Sequence, residues 1–174
     1  MANTFEFDIP EDIKNRYPSN VSNLLPTYYR FVLARLPNVT YFCQSASLPS
    51  VSLTEVLMPT PFVPVRAPSK MEFDDLSITF VIDENMRNWL ELFNWMRSTT
   101  NVENYEEYRT SNTHLTTANL LVLNSSKSPK LSVNFEGVYP KNISSVEFSS
   151  TLVDPEPIVC TALFGYRSYN VEIL

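Results

Sequence analysis

Glycine and histidine are nearly missing from this sequence, with Gly137, Gly165 and His114 as their three occurrences in 174 residues. Loops that cradle phosphates with backbone amides need several glycines, so the P-loop and dinucleotide-binding classes of enzyme are excluded. The histidine lies in a Ser/Thr-rich stretch with no cysteine or serine elbow nearby, so no nucleophile–base pair is visible. We therefore predict a protein that is not an enzyme.

Cysteine and charge are also scarce. Cys43 and Cys160 are far apart in stretches with strand character, which favours two buried thiols over a disulfide, and a metal site still less. We expect no catalytic residue, no cofactor and no metal ion. Charged residues make up 18% of the chain, and the net charge of −6 comes without a Lys/Arg cluster that could neutralise a line of phosphates. A dedicated nucleic-acid binder is therefore not expected.

Long apolar runs are absent as well. No stretch approaches the roughly 20 apolar residues of a membrane-spanning helix. The first ten residues contain Glu6 and Asp8, which do not fit a secretory signal. We expect no membrane partner and a protein that is made and assembled in a cytoplasm.

The residues that are present predict a mainly β protein. Residues 1–28 contain acidic residues and three prolines without a sustained period, which indicates an N-terminal arm. Residues 29–174 form one domain, for which we predict a small antiparallel β-barrel of six to seven strands. The predicted strands lie in a first hairpin (29–36 and 39–44), a strand at 76–82, a second hairpin (119–123 and 131–136), and two later segments (146–148 and 158–166).

One flanking α-helix is predicted at about residues 84–97. Asp83 offers a side-chain oxygen as an N-cap, and large apolar residues follow at helical spacing. We expect these side chains to pack the helix against the barrel: Met86, Trp89, Leu90, Phe93 and Met96. Residues 98–117 are polar and predict a long loop.

A long extended arm or edge ribbon is predicted at residues 47–70. Five of the thirteen prolines fall in it, and proline cannot donate to a central β-ladder. Its many apolar residues are too numerous for a solvated loop and must pack on something. We therefore predict that they form a subunit interface: Val51, Leu53, Val56, Leu57, Met58, Phe62, Val63 and Val65.

Three segments together carry a resemblance to a known family. They are residues 73–84 (FDDLSITFVIDE), followed by a helix with Trp89 and Trp95; residues 31–35 (FVLAR) with 42–49 (FCQSASLP); and residues 135–143 (FEGVYPKNI). In this order they resemble the strand-to-helix core, the first hairpin with its Leu-Pro exit, and the strand ending in Gly, an aromatic residue and Pro of the tail tube proteins of contractile-tailed bacteriophages. The type VI secretion tube protein shares the fold of that family.

The resemblance implies a virion structural protein in the phage tail. It implies a subunit of stacked hexameric rings that form the DNA-ejection conduit, with itself, tail sheath and baseplate or tail-completion proteins as partners. DNA would pass through the lumen without specific binding, and acidic residues facing the lumen would repel it. A baseplate tube initiator, a hub protein or a tail terminator shares the same core and stays open as an alternative.

Two further readings of the residues are weaker. A carbohydrate-binding β-sandwich would use Tyr41, Tyr105, Tyr108 and Tyr139 as stacking platforms. A carboxylate hydrolase would use the acids between Glu72 and Asp75, but no partner base or metal ligand accompanies them.

Overall fold

The computed structural model describes residues 22–100, 115–151 and 156–174, and it is mainly β. Two helices accompany nine strands in these residues: α1 (Pro37–Tyr41) and α2 (Arg87–Thr100). The strands are β1 (Tyr29–Leu33), β2 (Cys43–Ser47), β3 (Val51–Met58), β4 (Val65–Phe73), β5 (Leu76–Val81), β6 (Thr116–Leu123), β7 (Pro129–Ile143), β8 (Val159–Gly165) and β9 (Ser168–Ile173).

Seven strands form one antiparallel sheet in the order β1-β6-β7-β8-β5-β2, with β9 added on β7. The long strand β7 changes partners along its length: residues 131–136 pair with β9, and the part from Tyr139 to Ile143 pairs with β8. Gly137 lies between the two halves with φ +64°, a conformation that glycine adopts without strain. The bend turns β7 from one layer of the fold into the other.

The core lies between these layers and the inner face of α2. Strand β5 alternates as the sequence predicts, with Leu76, Ile78 and Phe80 fully buried. The other layer contributes Phe31, Leu33, Leu120, Val133 and Phe135. Burial of large apolar side chains, at about 1.5–3 kcal/mol each, is the main term that holds the two layers together.

The seven-stranded sheet does not close into a barrel through strand pairing in the described residues. Its ends, β1 and β2, each pair on one side, β1 with β6 and β2 with β5. The Tyr29 hydroxyl donates to the Gln44 carbonyl across the gap between them. The mainly β class is confirmed, and the sheet is open along this seam.

The predicted first hairpin is wrong. Residues 37–41 form the short helix α1, with Pro37 in its first turn, where its fixed φ suits a helix and its missing N–H costs nothing. The Thr40 hydroxyl accepts from the Leu33 amide at 3.0 Å, and Val39 is buried beneath the turn. Strands β1 and β2 therefore diverge to different partners.

The second hairpin is confirmed, because β6 and β7 pair antiparallel around the turn after Leu123. In that turn the Asn124 side chain accepts from the amides of Ser126 and Ser128. The strand predicted at 158–166 is also present as β8. Residues 146–148 are not a strand, and strand β9 was not predicted.

Helix α2 begins three residues later than predicted, at Arg87. Met86, with φ 53°, precedes it in the left-handed region, and Asp83 does not act as the cap. Instead, the buried Asn88 side chain accepts from the Asp83 amide at 3.3 Å and donates to the Val81 carbonyl at 2.8 Å. These bonds rotate the helix so that its buried face is Asn88, Leu92 and Trp95.

The core prediction for α2 is therefore wrong for two residues. Leu90 and Phe93 are 49% and 42% exposed, while Trp89 packs at the margin of the core. Met86 and Met96 are half-buried. Spacing alone could not choose between two apolar stripes on one helix, because Leu92 and Trp95 form a second stripe at i+3.

Candidate assembly surfaces

The described part of the chain offers no centre for chemistry. It contains no group of three or more His, Cys, Asp or Glu side chains placed to hold a metal ion. Cys160 is a buried free thiol; Cys43 is a half-buried one, and burial raises its pKa. His114, Tyr105 and Tyr108 lie outside the described residues. None of the described helices has the length and apolar character needed to cross a membrane.

Two of the acids of the weaker hydrolase reading, Asp74 and Asp75, make contacts within the fold. Asp75 forms an ion pair with Lys141 at 2.8 Å, which raises the pKa of that lysine. The Asp74 amide donates to the Ser50 carbonyl at 3.1 Å, and the Ser50 hydroxyl donates to the Asp74 carboxylate. These are structural contacts at the start of β5.

Strands β3 and β4 form a separate two-stranded sheet, which we call the ribbon (residues 51–73). Nearly all of its side chains are exposed on both faces, including Leu53 at 60%, Met58 at 53% and Phe62, in the connecting turn, at 96%. An isolated two-stranded ribbon is only marginally stable in water. Exposed apolar area of this extent marks an interaction surface.

The base of the ribbon is attached to the rest of the fold, the seven-stranded sheet with its two helices, which we call the body. Phe73 packs edge-on against Tyr169 of β9, with ring centroids 5.2 Å apart. The Tyr166 hydroxyl donates to the Asp74 carbonyl at 2.8 Å. Burial, with smaller contributions from Tyr169, Asp75 and Asp74, raises the pKa of Tyr166 to about 12. The ribbon therefore leaves the body from an ordered attachment.

A second surface lies at the two ends of one layer, formed by β1, β6, β7 and β9. In the described residues, β1 pairs with β6 alone and β9 with β7 alone, so this layer has an unpaired edge at each side. At the β9 edge Val171 and Ile173, which share the core-side face, remain 47% and 88% exposed. Unpaired strand edges with apolar neighbours are templates for another chain.

The outward side of α2 is a third, smaller apolar surface. The rings of Trp89 and Phe93 stack in parallel with centroids 5.3 Å apart, beside exposed Leu90. Among the residues that the structure describes, the buried Trp89 Nε1 donor has no hydrogen-bond partner.

All eight apolar residues predicted as a subunit interface lie in the ribbon or its connecting turn, and all are exposed. Their role in assembly stays a prediction. Sequence reasoning missed the β9 edge, although Tyr169, Val171 and Ile173 alternate with polar residues in the printed sequence. Tyr41 and Tyr139, of the carbohydrate reading, lie on different elements, α1 and β7.

Comparison with known proteins decides the family. The family model described as "Phage tail tube protein" matches residues 1–172. The chain belongs to this phage tail tube protein family. One relative with a detectable sequence match is the tail tube terminator protein of Enterobacteria phage T4, which is 33% identical to this chain over 104 residues. That match spans 58% of this chain and 57% of the T4 protein's own length.

Solved structures show the same fold for this tail tube family member. A chain of the anti-feeding prophage tube-terminating cap superposes with a TM-score of 0.64 at 13% identity, covering 91% of this chain and 97% of that one. A chain of the sheath–tube complex of an extracellular contractile injection system gives 0.61 at 13% identity, covering 88% and 95%. A chain of that system's sheath/tube terminator gives 0.60 at 14% identity, covering 88% and 99%.

Proposed function

We propose that this chain is a non-catalytic structural subunit that forms the ring terminating a phage tail tube. The observation that carries the proposal is the four-stranded layer β1-β6-β7-β9 with an unpaired edge at each side. Two different edges on one chain suit a head-to-tail contact, and head-to-tail contacts that close generate rings. A ring would pair both open edges of this layer and remove their aggregation hazard.

The β9 edge supports this contact beyond backbone pairing. Val171 and Ile173 extend the apolar face of the layer to its border, where a neighbouring β1 would continue the sheet and cover them. On the β1 side of the layer, the buried Phe31 lies in the same row as Val171, linked to it across the layer by the paired Leu120 and Val133.

The ribbon supplies the second contact with other copies. Its apolar residues have no cover within the described chain, and a packed neighbour would remove the cost of exposing them. We assign the predicted subunit interface to this ribbon, with the residues Val51, Leu53, Val56, Leu57, Met58, Phe62, Val63 and Val65.

Six subunits per ring are supported by fold likeness. A chain of the anti-feeding prophage baseplate, solved with sixfold symmetry, superposes with a TM-score of 0.51 at 10% identity. DNA would pass through the lumen of a hexamer without specific binding, consistent with the net charge of −6 on each chain. Assembly in the host cytoplasm and residence in the virion tail follow from this role.

The terminator role is favoured over a repeating tube subunit by the T4 relative, a tail tube terminator. Its partners would then be the last tube ring, the tail sheath and tail-completion proteins. The tube subunit is the second candidate. A chain of a sheath–tube complex superposes with a TM-score of 0.61, close to the 0.64 of the tube-terminating cap. The two roles differ in whether rings of this protein alone grow into long tubes.

Electron microscopy of the purified protein separates these roles. A terminator forms single rings or short stacks at all concentrations, and gold-labelled rings added to tail tubes mark one tube end. Growth of the protein alone into long tubes would assign it to the tube body instead. A chain that remains monomeric at high concentration would overturn the proposed function altogether.

The ring contact can be broken selectively. Val171→Lys places a charge on the core-side face of β9 at the open edge, and we expect it to abolish rings. Asn170→Lys is the matched control, because the same charge then lies on the opposite face of the same strand. Rings that persist in Val171→Lys would show that β9 is not the ring edge.

A further inference from the structure

Strands β7, β8 and β9 meet at one bend, which we call the corner (residues 137–139 and 165–167). Strand β7 pairs with β9 before the bend and with β8 after it, and the pairing register is the same on both sides. By this register Gly137 lies opposite Arg167, and Tyr139 pairs with Gly165. Strands β8 and β9 therefore follow β7 around the bend as one partner strand.

The corner reverses which side of β7 faces the core. Before the bend the buried apolar residues of β7 have odd numbers, Val133 and Phe135, whereas after it the buried Val138 has an even number. Regular alternation would turn Val138 away from the core. Gly137 makes the reversal, because its φ of +64° lies in the left-handed region that glycine adopts without strain. Both halves of β7 can thus cover the same core.

Each glycine of the corner is covered by the side chain of the residue opposite. A Cβ added to Gly165 would lie 2.5 Å from Cζ of Tyr139 and 2.6 Å from its hydroxyl oxygen. A Cβ added to Gly137 would lie 2.8 Å from Cγ and Cδ of Arg167. Ordinary van der Waals contact begins at 3.4 Å, so these two side chains lie where a larger residue would clash with them. Aromatic cover of a glycine across a strand pair is one way to fix the geometry of a sheet.

The orientation of β9 depends on this corner. In the described residues β9 pairs with β7 alone, and beyond Tyr169 its apolar side chains are exposed. Ile173 lies six residues beyond Arg167, a distance of roughly 20 Å in an extended strand. A tilt of about 10° at the bend would displace the far end of β9 by roughly 3 Å, more than half the ~4.8 Å between paired strands. Pairing of the β9 edge with another copy therefore requires a fixed angle at the corner.

We propose that Tyr139 and Arg167 are positioning residues for the ring: by lying on Gly165 and Gly137, they hold the corner at one angle and fix the direction in which β9 meets the next copy. The inference rests on the proposed ring function and adds the residues that decide whether a ring closes. A ring closes only if every copy adds the same rotation. An edge presented at variable angles would still pair, but it would give open arcs and rings of mixed size.

The parts of the two side chains that cover the glycines can be separated from their polar groups. Arg167 lies on Gly137 with its Cβ, Cγ and Cδ atoms, and a glutamine has all three of these carbons. Tyr139 lies on Gly165 with its ring and hydroxyl, and a phenylalanine keeps the ring. Alanine at either position removes the cover.

Two double variants of the full-length protein test the inference by negative-stain microscopy and sedimentation velocity. Tyr139→Ala/Arg167→Ala is expected to replace closed rings of one size by arcs and rings of mixed size, with a broadened sedimentation distribution. Tyr139→Phe/Arg167→Gln is the matched control, because it keeps the cover and loses only the hydroxyl and the charge. It should form rings like those of the wild type.

The outcomes separate this inference from the proposed function. Uniform closed rings in the alanine variant would overturn the positioning role. A folded alanine variant that stays monomeric would also overturn it, because the two side chains would then belong to the ring contact itself. Mixed ring sizes in the matched control would assign the effect to the hydroxyl or the charge and contradict the role of the cover. If the wild type forms no rings, the proposed function fails first.

Circular dichroism and thermal unfolding check that each variant is folded. We expect folded variants, because Arg167 is exposed and Tyr139 is 37% exposed. If the double alanine variant does not fold, Tyr139→Ala and Arg167→Ala are compared singly with Tyr139→Phe and Arg167→Gln, and the same outcomes decide.

Discussion

The body and the ribbon of this protein use apolar residues in opposite ways. In β5 of the body, Leu76, Ile78 and Phe80 are fully buried by the chain itself. In the ribbon, an equally apolar strand such as β3 leaves its residues in solvent. The apolar content of a strand therefore does not indicate whether its own chain or a partner chain buries it.

Phe80→Ala in the body should lower the free energy of unfolding the most. The side chain is fully buried between Cys43 and Cys160 across strands β2 and β8, and emptying such a site costs about 3–5 kcal/mol. Chemical denaturation of the variant measures the loss. A loss below about 1 kcal/mol would mean that the body is not packed as described.

Leu92→Ala and Phe93→Ala compare the two faces of α2. Leu92 is fully buried, and its truncation should cost about 2–5 kcal/mol. Phe93 is 42% exposed and should cost less, with the stacking on Trp89 contributing roughly 0.5–1.5 kcal/mol. The same denaturation experiment ranks the pair. A larger loss in Phe93→Ala than in Leu92→Ala would support the buried face of α2 that residue spacing predicted.

Tyr166→Phe tests the attachment of the ribbon to the body. It removes the hydrogen bond to the Asp74 carbonyl and should cost about 1 kcal/mol. The folded pKa of about 12 lies above the ordinary 10.0, so the folded state holds the proton longer and stability should fall as pH rises from 10 towards 12. Denaturation across this range should show the decline in the wild type and a weaker decline in the variant. An equal decline in stability in the wild type and in Tyr166→Phe would show that Tyr166 does not cause this pH dependence.

Met58→Asp and Phe62→Asp in the ribbon should change the free energy of unfolding by less than about 0.5 kcal/mol, since both side chains are exposed. Both should nevertheless lose assembly, because Met58 and Phe62 belong to the exposed apolar residues of the ribbon and its connecting turn. Light scattering of the variants beside the wild type measures this. Unchanged assembly in both would remove the ribbon from the interface.

Sequence reasoning reached the parts of the fold that local patterns determine. The alternation of β5, the turn at Asn124 between β6 and β7, and the apolar ribbon were all predictable from residue type and period. The first hairpin failed because Pro37 suits both a turn and the start of a helix. The prediction of the buried face of α2 failed because the buried side-chain amide of Asn88 sets the helix rotation through tertiary hydrogen bonds.

The candidate surfaces were predictable only in part. Apolar residues between prolines identified the ribbon, but the bulge opposite Thr54 is visible only in the pairing register of its two strands. The β9 edge depends on which strands pair, and long-range pairing leaves no local mark in one sequence. The ring is a proposal that the family resemblance implies, and the two unpaired edges of the layer support it.

We propose that copies of this chain complete one another through their open edges. Sedimentation velocity of the purified full-length protein over a concentration series, with negative-stain images of each sample, tests this assembly most directly. We expect a concentration-dependent shift from monomer to a closed ring of defined size. A single monomeric species at every concentration, with no rings in the images, would contradict it.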